Sequence, residues 1–103
     1  MNAPLSSLSR DPIAVLMPDC RDPAEREARR RLMIARDLAS AKLPHMPPGH
    51  AQTLLWLVVE TATASAFAPA PLEELEAALR YCTRLLLCAR WAESKEQPFD
   101  EEE

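Results

Sequence analysis

The longest apolar stretch of the chain runs from Ala51 to Ala68, and its one charged residue is Glu60. Its valines and threonines would also suit a β-strand. However, eighteen residues without a turn signal are long for a strand. We therefore predict a central helix from about Gly49 to Phe67.

Projected at 100° per residue, the central helix divides into two faces. Trp56, Glu60 and Phe67 share one face, which directs the glutamate towards solvent, an arginine of the first helix or a partner. The other face is predicted to pack closely against the rest of the protein. It comprises Leu54, Leu57, Val58, Thr61, Ala62 and Ser65.

A first helix is predicted from Asp22 to about Leu43. Asp22, Pro23 and Glu25 occupy the N-cap, N1 and N3 positions that favour a helix start, and Pro44 ends the helix. Acid–base pairs four residues apart support it, namely Asp22–Arg26, Glu25–Arg29 and Glu27–Arg31. Its predicted core stripe is Ala24, Ala28, Leu32, Ala35, Leu38, Ala39 and Leu43.

A last helix is predicted from Pro71 to about Lys95 or Glu96, ahead of Pro98. Glutamates follow Pro71 directly, and acidic residues are favourable in the first turn of a helix. The predicted core stripe of this helix is Leu75, Ala78, Leu79, Cys82, Leu85, Leu86 and Ala89.

The helices and their connections predict an all-α protein, a small three-helix antiparallel bundle spanning residues 22–97. One glycine against ten prolines fits helices joined by short Pro-rich loops. A Pro-rich N-terminal arm, residues 1–21, precedes the bundle, and an acidic C-terminal tail, residues 98–103, follows it. We expect the apolar run from Ile13 to Met17 in the arm to pack on the core or on a partner.

Length and charge narrow the function classes. A chain of 103 residues is one domain by its length. Its formal net charge is −4: residues 1–43 hold eight basic and six acidic groups, and residues 44–103 hold four and ten. This acidic balance argues against non-specific nucleic-acid binding, which depends on neutralising phosphates.

The sequence also indicates the cellular compartment of the protein and whether it spans a membrane. The N-terminus lacks the basic and apolar regions of a signal peptide, and three cysteines without a CxxC motif fit a reducing environment. We therefore predict a cytoplasmic protein. Glu60 lies in the middle of the apolar stretch, and Pro69 and Pro71 end it, which argues against a membrane-spanning helix.

The sequence contains no strong catalytic or metal-binding motif. The spacings of His45 and His50, and of Cys82 and Cys88, are not those of zinc sites. A Cys20–His45 or Cys88–His50 pair could serve as nucleophile and base, but nothing local supports either pair. A single glycine excludes the common nucleotide-binding loops. We predict no metal, no cofactor and no enzymatic activity.

Arginines of the first helix form a basic arc beside its apolar stripe. Arg26, Arg29, Arg30 and Arg36 could be a solvated face with intrahelical pairs, a docking site for an acidic protein, or a nucleic-acid contact. Glu25, Glu27 and Asp37 lie close by in sequence and favour the first interpretation.

Two groups of apolar side chains lie outside the faces that a three-helix core would bury. Leu87 and Trp91 lie four residues apart on the last helix, with Arg84 on the same side, and Trp56 and Phe67 share a face of the central helix. Tryptophan and arginine are enriched at interface hot spots. The predicted partner contacts are Trp91, Leu87, Arg84, Trp56, Phe67, Arg29, Arg30 and Arg36.

The sequence therefore predicts a small non-enzymatic adaptor or regulatory domain that binds a protein partner, with a homodimer as the simplest form. One alternative is a mobile-element-type inhibitor that uses its acidic surface and tail against a nucleic-acid-handling complex. A second is nucleic-acid binding through the arginines of the first helix. A third, less favoured still, is a metal or thiol enzyme.

Overall fold

The computed structural model describes Ile13 and residues 16–96, the side chain of Glu96 excepted. Within that range the chain forms three α-helices and no strand: α1 (Pro23–Lys42), α2 (His50–Ala66) and α3 (Leu72–Glu96), with a 3₁₀ turn at Leu43–His45. Each helix packs against the other two. The predicted three-helix bundle is confirmed, and the helix ends lie within about two residues of the predicted ones.

The start of α1 follows the predicted capping pattern. The Asp22 carboxylate accepts a hydrogen bond from the backbone N–H of Glu25 at 3.3 Å, and Pro23 occupies the first turn. This satisfies one of the N–H groups that a helix start leaves unpaired, and proline has no N–H of its own to satisfy. At the start of α3, the Pro71 carbonyl accepts from the N–H groups of Glu74 and Leu75 at 3.0 and 3.1 Å.

The core is built from all three helices and contains many alanines, which allow the helix axes to approach closely. Its largest fully buried side chains are Ile13, Leu32, Leu55, Leu75, Val58 and Cys82. The predicted core stripe of α3 agrees with the structure, because all its members are buried or half-buried.

The predicted packing face of α1 requires correction, and that of α2 is confirmed only in part. All six residues predicted to pack in α2 are buried or half-buried, but the fully buried positions are Ala51, Leu55, Val58, Ala62 and Ala66, so the centre of the inward face is rotated from the predicted one. The helix is apolar on most sides, so periodicity alone does not orient it. In α1, Ala24 and Leu38 are exposed, whereas Met33 and Arg29 are buried.

The described end of the N-terminal arm joins the core. Ile13 is buried at 1% exposure, and Met17 packs partly against the core cluster. The Met17 N–H donates to the Ile13 carbonyl at 2.8 Å, which closes one helical turn and leaves Leu16 on the outside. The acidic tail, the first twelve residues, and Ala14 and Val15 lie outside the described residues.

None of the helices in the described part of the chain combines the length and hydrophobicity needed to cross a membrane.

Candidate partner-binding surface

The outer side of α3 presents one continuous row of exposed side chains. Its two apolar members are Leu87 and Trp91, which are 60% and 66% exposed. Spacings of three and four residues place the whole row on one helix face, directed away from the core. We call it the α3 stripe: Glu76, Arg80, Arg84, Leu87, Trp91 and Lys95.

The charged members of the α3 stripe have no carboxylate or cationic partner in the part of the chain that the structure describes. Glu76 and Arg80 are four residues apart, yet no ion pair joins them there. Lys95 places its Nζ 5.3 Å from the centre of the Trp91 ring, within the range of a cation–π contact. Even with this contact the indole stays two-thirds exposed, so most of its apolar surface faces water.

A groove between α2 and α3 adjoins the stripe on one side. Its volume is about 710 Å³, and Trp91 forms part of its wall. The groove has a mostly apolar lining with two basic side chains. It is lined by His50, Leu54, Cys88, Trp91, Ala92 and Lys95.

A second groove, between α1 and α3, lies on the other side of the stripe. Its volume is about 350 Å³, and Leu38 and Leu87 face it from the two helices. The Lys42 ammonium contacts the Glu93 carboxylate at 3.1 Å across this groove. The sequence predicts Leu38 in the core stripe of α1, but in the structure this residue lies on the surface beside the groove. The alanines of α1 fill the close helix contacts and leave the larger leucine at the edge.

The structure brings one of the considered cysteine–histidine pairs to the same groove, since His50 and Cys88 both line it. Cys82 is buried, and burial raises the pKa of its thiol. The Cys20 thiol donates to a Glu25 carboxylate oxygen at 3.6 Å. Among the described residues, no three histidine, cysteine or acidic side chains lie where they could hold a metal ion together.

The two aromatic side chains assigned to the outer face of α2 differ in their surroundings. Trp56 is 51% exposed, whereas Phe67 is half-buried and packs against the core. Leu54 faces α3, and two residues along a helix is a rotation of about 200°. Trp56 therefore lies away from α3, and the structure does not join it to the stripe.

The sequence predicts that Arg29 belongs to an exposed basic face, but the structure buries this residue, which is only 2% exposed. Its Nη1 donates to the carbonyl oxygens of Ala66 and Ala68 at 2.8 and 2.7 Å. These carbonyls lie at the C-terminal end of α2, where a helix carries partial negative charge. Glu25 lies 3.8 Å from Nη2. Arg29 therefore fastens α1 to the end of α2.

The exposed arginines of α1 pair with acids of their own helix. Arg30 and Arg31 both contact the Glu27 carboxylate, Arg31 at 2.8 Å, and Arg36 contacts Asp37 at 3.1 Å. The hydrogen bond from Arg31, followed by the charge of Arg30, lowers the pKa of Glu27. Arg30, which is exposed, and Arg36, which is half-buried, thus make local charge pairs on α1.

Comparison of the chain with protein-family models, curated proteins and solved structures found no match. The function is therefore inferred from the chemistry of the surface itself. Of the eight predicted contacts, the structure groups Trp91, Leu87 and Arg84 on one face, and it separates Trp56 and the α1 arginines from them. The sequence does not indicate Leu54 and Leu38 as groove residues, because only the packed helices show which side chains flank α3.

Proposed function

We propose that this protein is a small non-enzymatic helical domain that acts by binding another protein chain through the outer side of α3. The observation that carries the proposal is the exposure of Trp91 and Leu87 side by side, with a groove on each flank. A tryptophan beside a leucine at the centre of a surface is the arrangement typical of an interface hot spot.

The energetics of the stripe support this assignment. Burial of apolar surface stabilises by roughly 25 cal/mol per Å², so a partner that covers both side chains gains several kcal/mol. Arg80 and Arg84 lack carboxylate partners among the described residues, and arginine both pairs with carboxylates and stacks on aromatic rings. A protein surface that presents apolar or aromatic side chains beside an acid therefore fits the stripe better than a purely apolar one does.

We also place the protein in the cytoplasm. Its three cysteines, one buried, one half-buried and one exposed, are all free thiols. Free thiols, one of them open to solvent, fit a reducing compartment. We expect Cys88 in intact cells to react with an alkylating reagent and to carry no mixed disulfide. A stable disulfide at Cys88 in freshly lysed cells would contradict this location.

The proposal is tested by photo-crosslinking in the native host, with a photoreactive amino acid at position 87. We expect a covalent adduct to a protein chain, and Trp91→Ala should lower its yield at least about fivefold, as for a hot-spot residue. A probe at position 64, an exposed alanine of α2, is the matched control and should give no specific adduct.

The folded state of each variant is checked by circular dichroism. Because Trp91 is two-thirds exposed, Trp91→Ala should keep the helical signal and its cooperative thermal loss. Equal labelling from positions 87 and 64, or no protein adduct at all, would defeat the proposal. The same holds if Trp91→Ala unfolds the domain, because Trp91 would then be a core residue.

A further inference from the structure

We propose that the partner of the α3 stripe is a second copy of this chain, bound with its own α3 antiparallel to the first about a two-fold axis. In this arrangement Glu76 lies opposite Lys95 of the second copy, Arg80 opposite its Trp91, and Arg84 opposite its Leu87. The inference rests on the proposed function, because it names the partner of the same surface.

The order of side chains along the stripe carries the inference. From its N-terminal to its C-terminal end the stripe reads acidic, basic, basic, apolar, aromatic, basic. Reversed and placed against itself, this order sets Glu76 against Lys95 and Arg80 against Trp91, and it places Arg84 beside Leu87. A two-fold interface requires such self-complementarity, because each contact occurs twice.

Each of the three opposed pairs has a favourable chemistry. Glu76 and Lys95 form an ion pair at each end of the interface. The Arg80 guanidinium stacks on the Trp91 indole, the ring that attracts cations most strongly. The aliphatic part of Arg84 covers Leu87 while its charged end remains in water. Near the two-fold axis the contact therefore consists of the two Leu87 side chains and the aliphatic parts of the two Arg84 side chains, and an ion pair lies at each end.

Other alignments of the two helices bring like charges together. A parallel alignment sets every charged residue of the stripe against its own copy. An antiparallel shift of one turn in one direction sets Arg84 against Arg84. A shift of one turn in the other direction sets Arg80 against Lys95. Like charges in direct opposition are unfavourable, so the stated register is the one that the stripe favours.

The expected affinity is modest. The stripe covers nineteen helical steps from Glu76 to Lys95, and thus about 28 Å at 1.5 Å per residue. A single pair of helices over this length gives an interface at the low end of specific complexes, so we expect a dissociation constant on the order of micromolar.

The test is sedimentation equilibrium on the full chain and on charge-swap variants. Glu76→Lys and Lys95→Glu should each weaken the dimer roughly tenfold, because each replaces two ion pairs by two like-charge contacts. The double variant E76K/K95E restores opposite charges at both ends and should return to within about threefold of the original affinity. Circular dichroism verifies that every variant keeps its helices.

Mixing the two single variants provides the sharpest readout. Only the mixed dimer pairs lysine with glutamate at both ends, so the two chains should associate with each other in preference to themselves. Glu60→Lys and Arg21→Glu change the same charges at exposed positions outside the stripe and its two grooves, and they are the matched controls. Both should leave the dimer affinity within about twofold of the original.

The outcomes separate this inference from the proposed function. A chain that stays monomeric at several hundred micromolar overturns the inference. If the position-87 probe then joins a different protein, the proposed function still holds. A dimer that ignores the charge swaps, or a double variant that is not restored, overturns the stated register. If no adduct of any mass forms and the chain is monomeric, both proposals fail.

Discussion

Helices α1 and α3 both carry arginines, but the two sets differ in whether their guanidinium groups find acceptors within the described chain. The guanidinium of Arg29 is held by backbone carbonyls of α2, and Arg30 and Arg36 contact acids of α1. Arg80 and Arg84 of α3 contact no acid in the described part of the chain. Arg29, Arg30 and Arg36 are therefore held within the fold, whereas Arg80 and Arg84 remain available to the proposed partner.

The difference follows in part from where the acids stand in each helix. In α1, Glu25 and Glu27 lie three or four residues before Arg29, Arg30 and Arg31, the spacing that lets side chains meet on a helix. In α3 no acid lies three or four residues from Arg84, and Glu76, four residues before Arg80, forms no ion pair with it in the described part of the chain. The α3 stripe therefore has an acidic residue at one end and a basic residue at the other. This order is what the proposed antiparallel second copy matches.

The largest expected effect concerns Arg29. Arg29→Met removes two charge-assisted hydrogen bonds and leaves the Ala66 carbonyl without its donor, so it should lower the free energy of unfolding by about 3 kcal/mol. Urea denaturation followed by circular dichroism measures the loss. Arg84→Met is the matched control and should change stability by less than about 0.5 kcal/mol. Equal losses of unfolding free energy in the two variants would show that Arg29 contributes no more to the stability of the fold than Arg84 does.

A smaller effect is expected for nucleic-acid binding. Arg30 and Arg36 are paired with acids of their own helix and the whole chain has a formal net charge of −4, so α1 should bind labelled DNA or RNA weakly. The double reversal R30E/R36E should then change the affinity less than about twofold, as measured by fluorescence anisotropy at several salt concentrations. Tight binding that falls steeply with salt and disappears in R30E/R36E would revive the nucleic-acid alternative.

The smallest effect concerns pH and Glu27. Its pKa is lowered in the folded state from the usual value of 4.5 by Arg31 and Arg30. The stabilisation is therefore present above about pH 4.5 and is lost as the pH falls through the lowered pKa. Because Glu27 and both arginines are well exposed, water and salt screen the pairs. Thermal unfolding of Glu27→Gln should differ slightly from the original protein near pH 6 and converge with it near pH 3. A constant difference over this range would show that the charge pairs contribute nothing.

Much of the fold could be predicted from local signals. The N-cap at Asp22 and the prolines around each connection set the helix ends, because these residues act on the backbone next to them. The core stripe of α3 also follows from the sequence, since the helix has a clear apolar side. The centre of the inward face of α2 does not follow, because a helix that is apolar on most sides is oriented by its neighbours.

The candidate site was predictable only in part. Leu87 and Trp91 stand out in sequence because they lie away from the core stripe of their helix, and the structure leaves both exposed. Arg29 could not be placed, because its carbonyl acceptors lie 37 and 39 residues further along the chain. An arginine is usually exposed, and only the docking of α1 on the end of α2 reveals the exception.

The Arg29 contact also bears on the way the chain folds and unfolds. Bonds between residues so far apart in sequence form only after the intervening loop has closed, and the entropy cost of closure precedes their benefit. The first half of α1 and the last turn of α2 thus become stable together, and neither gains from Arg29 alone. A local opening at either element loses the same two bonds, so this corner of the bundle behaves as one cooperative unit.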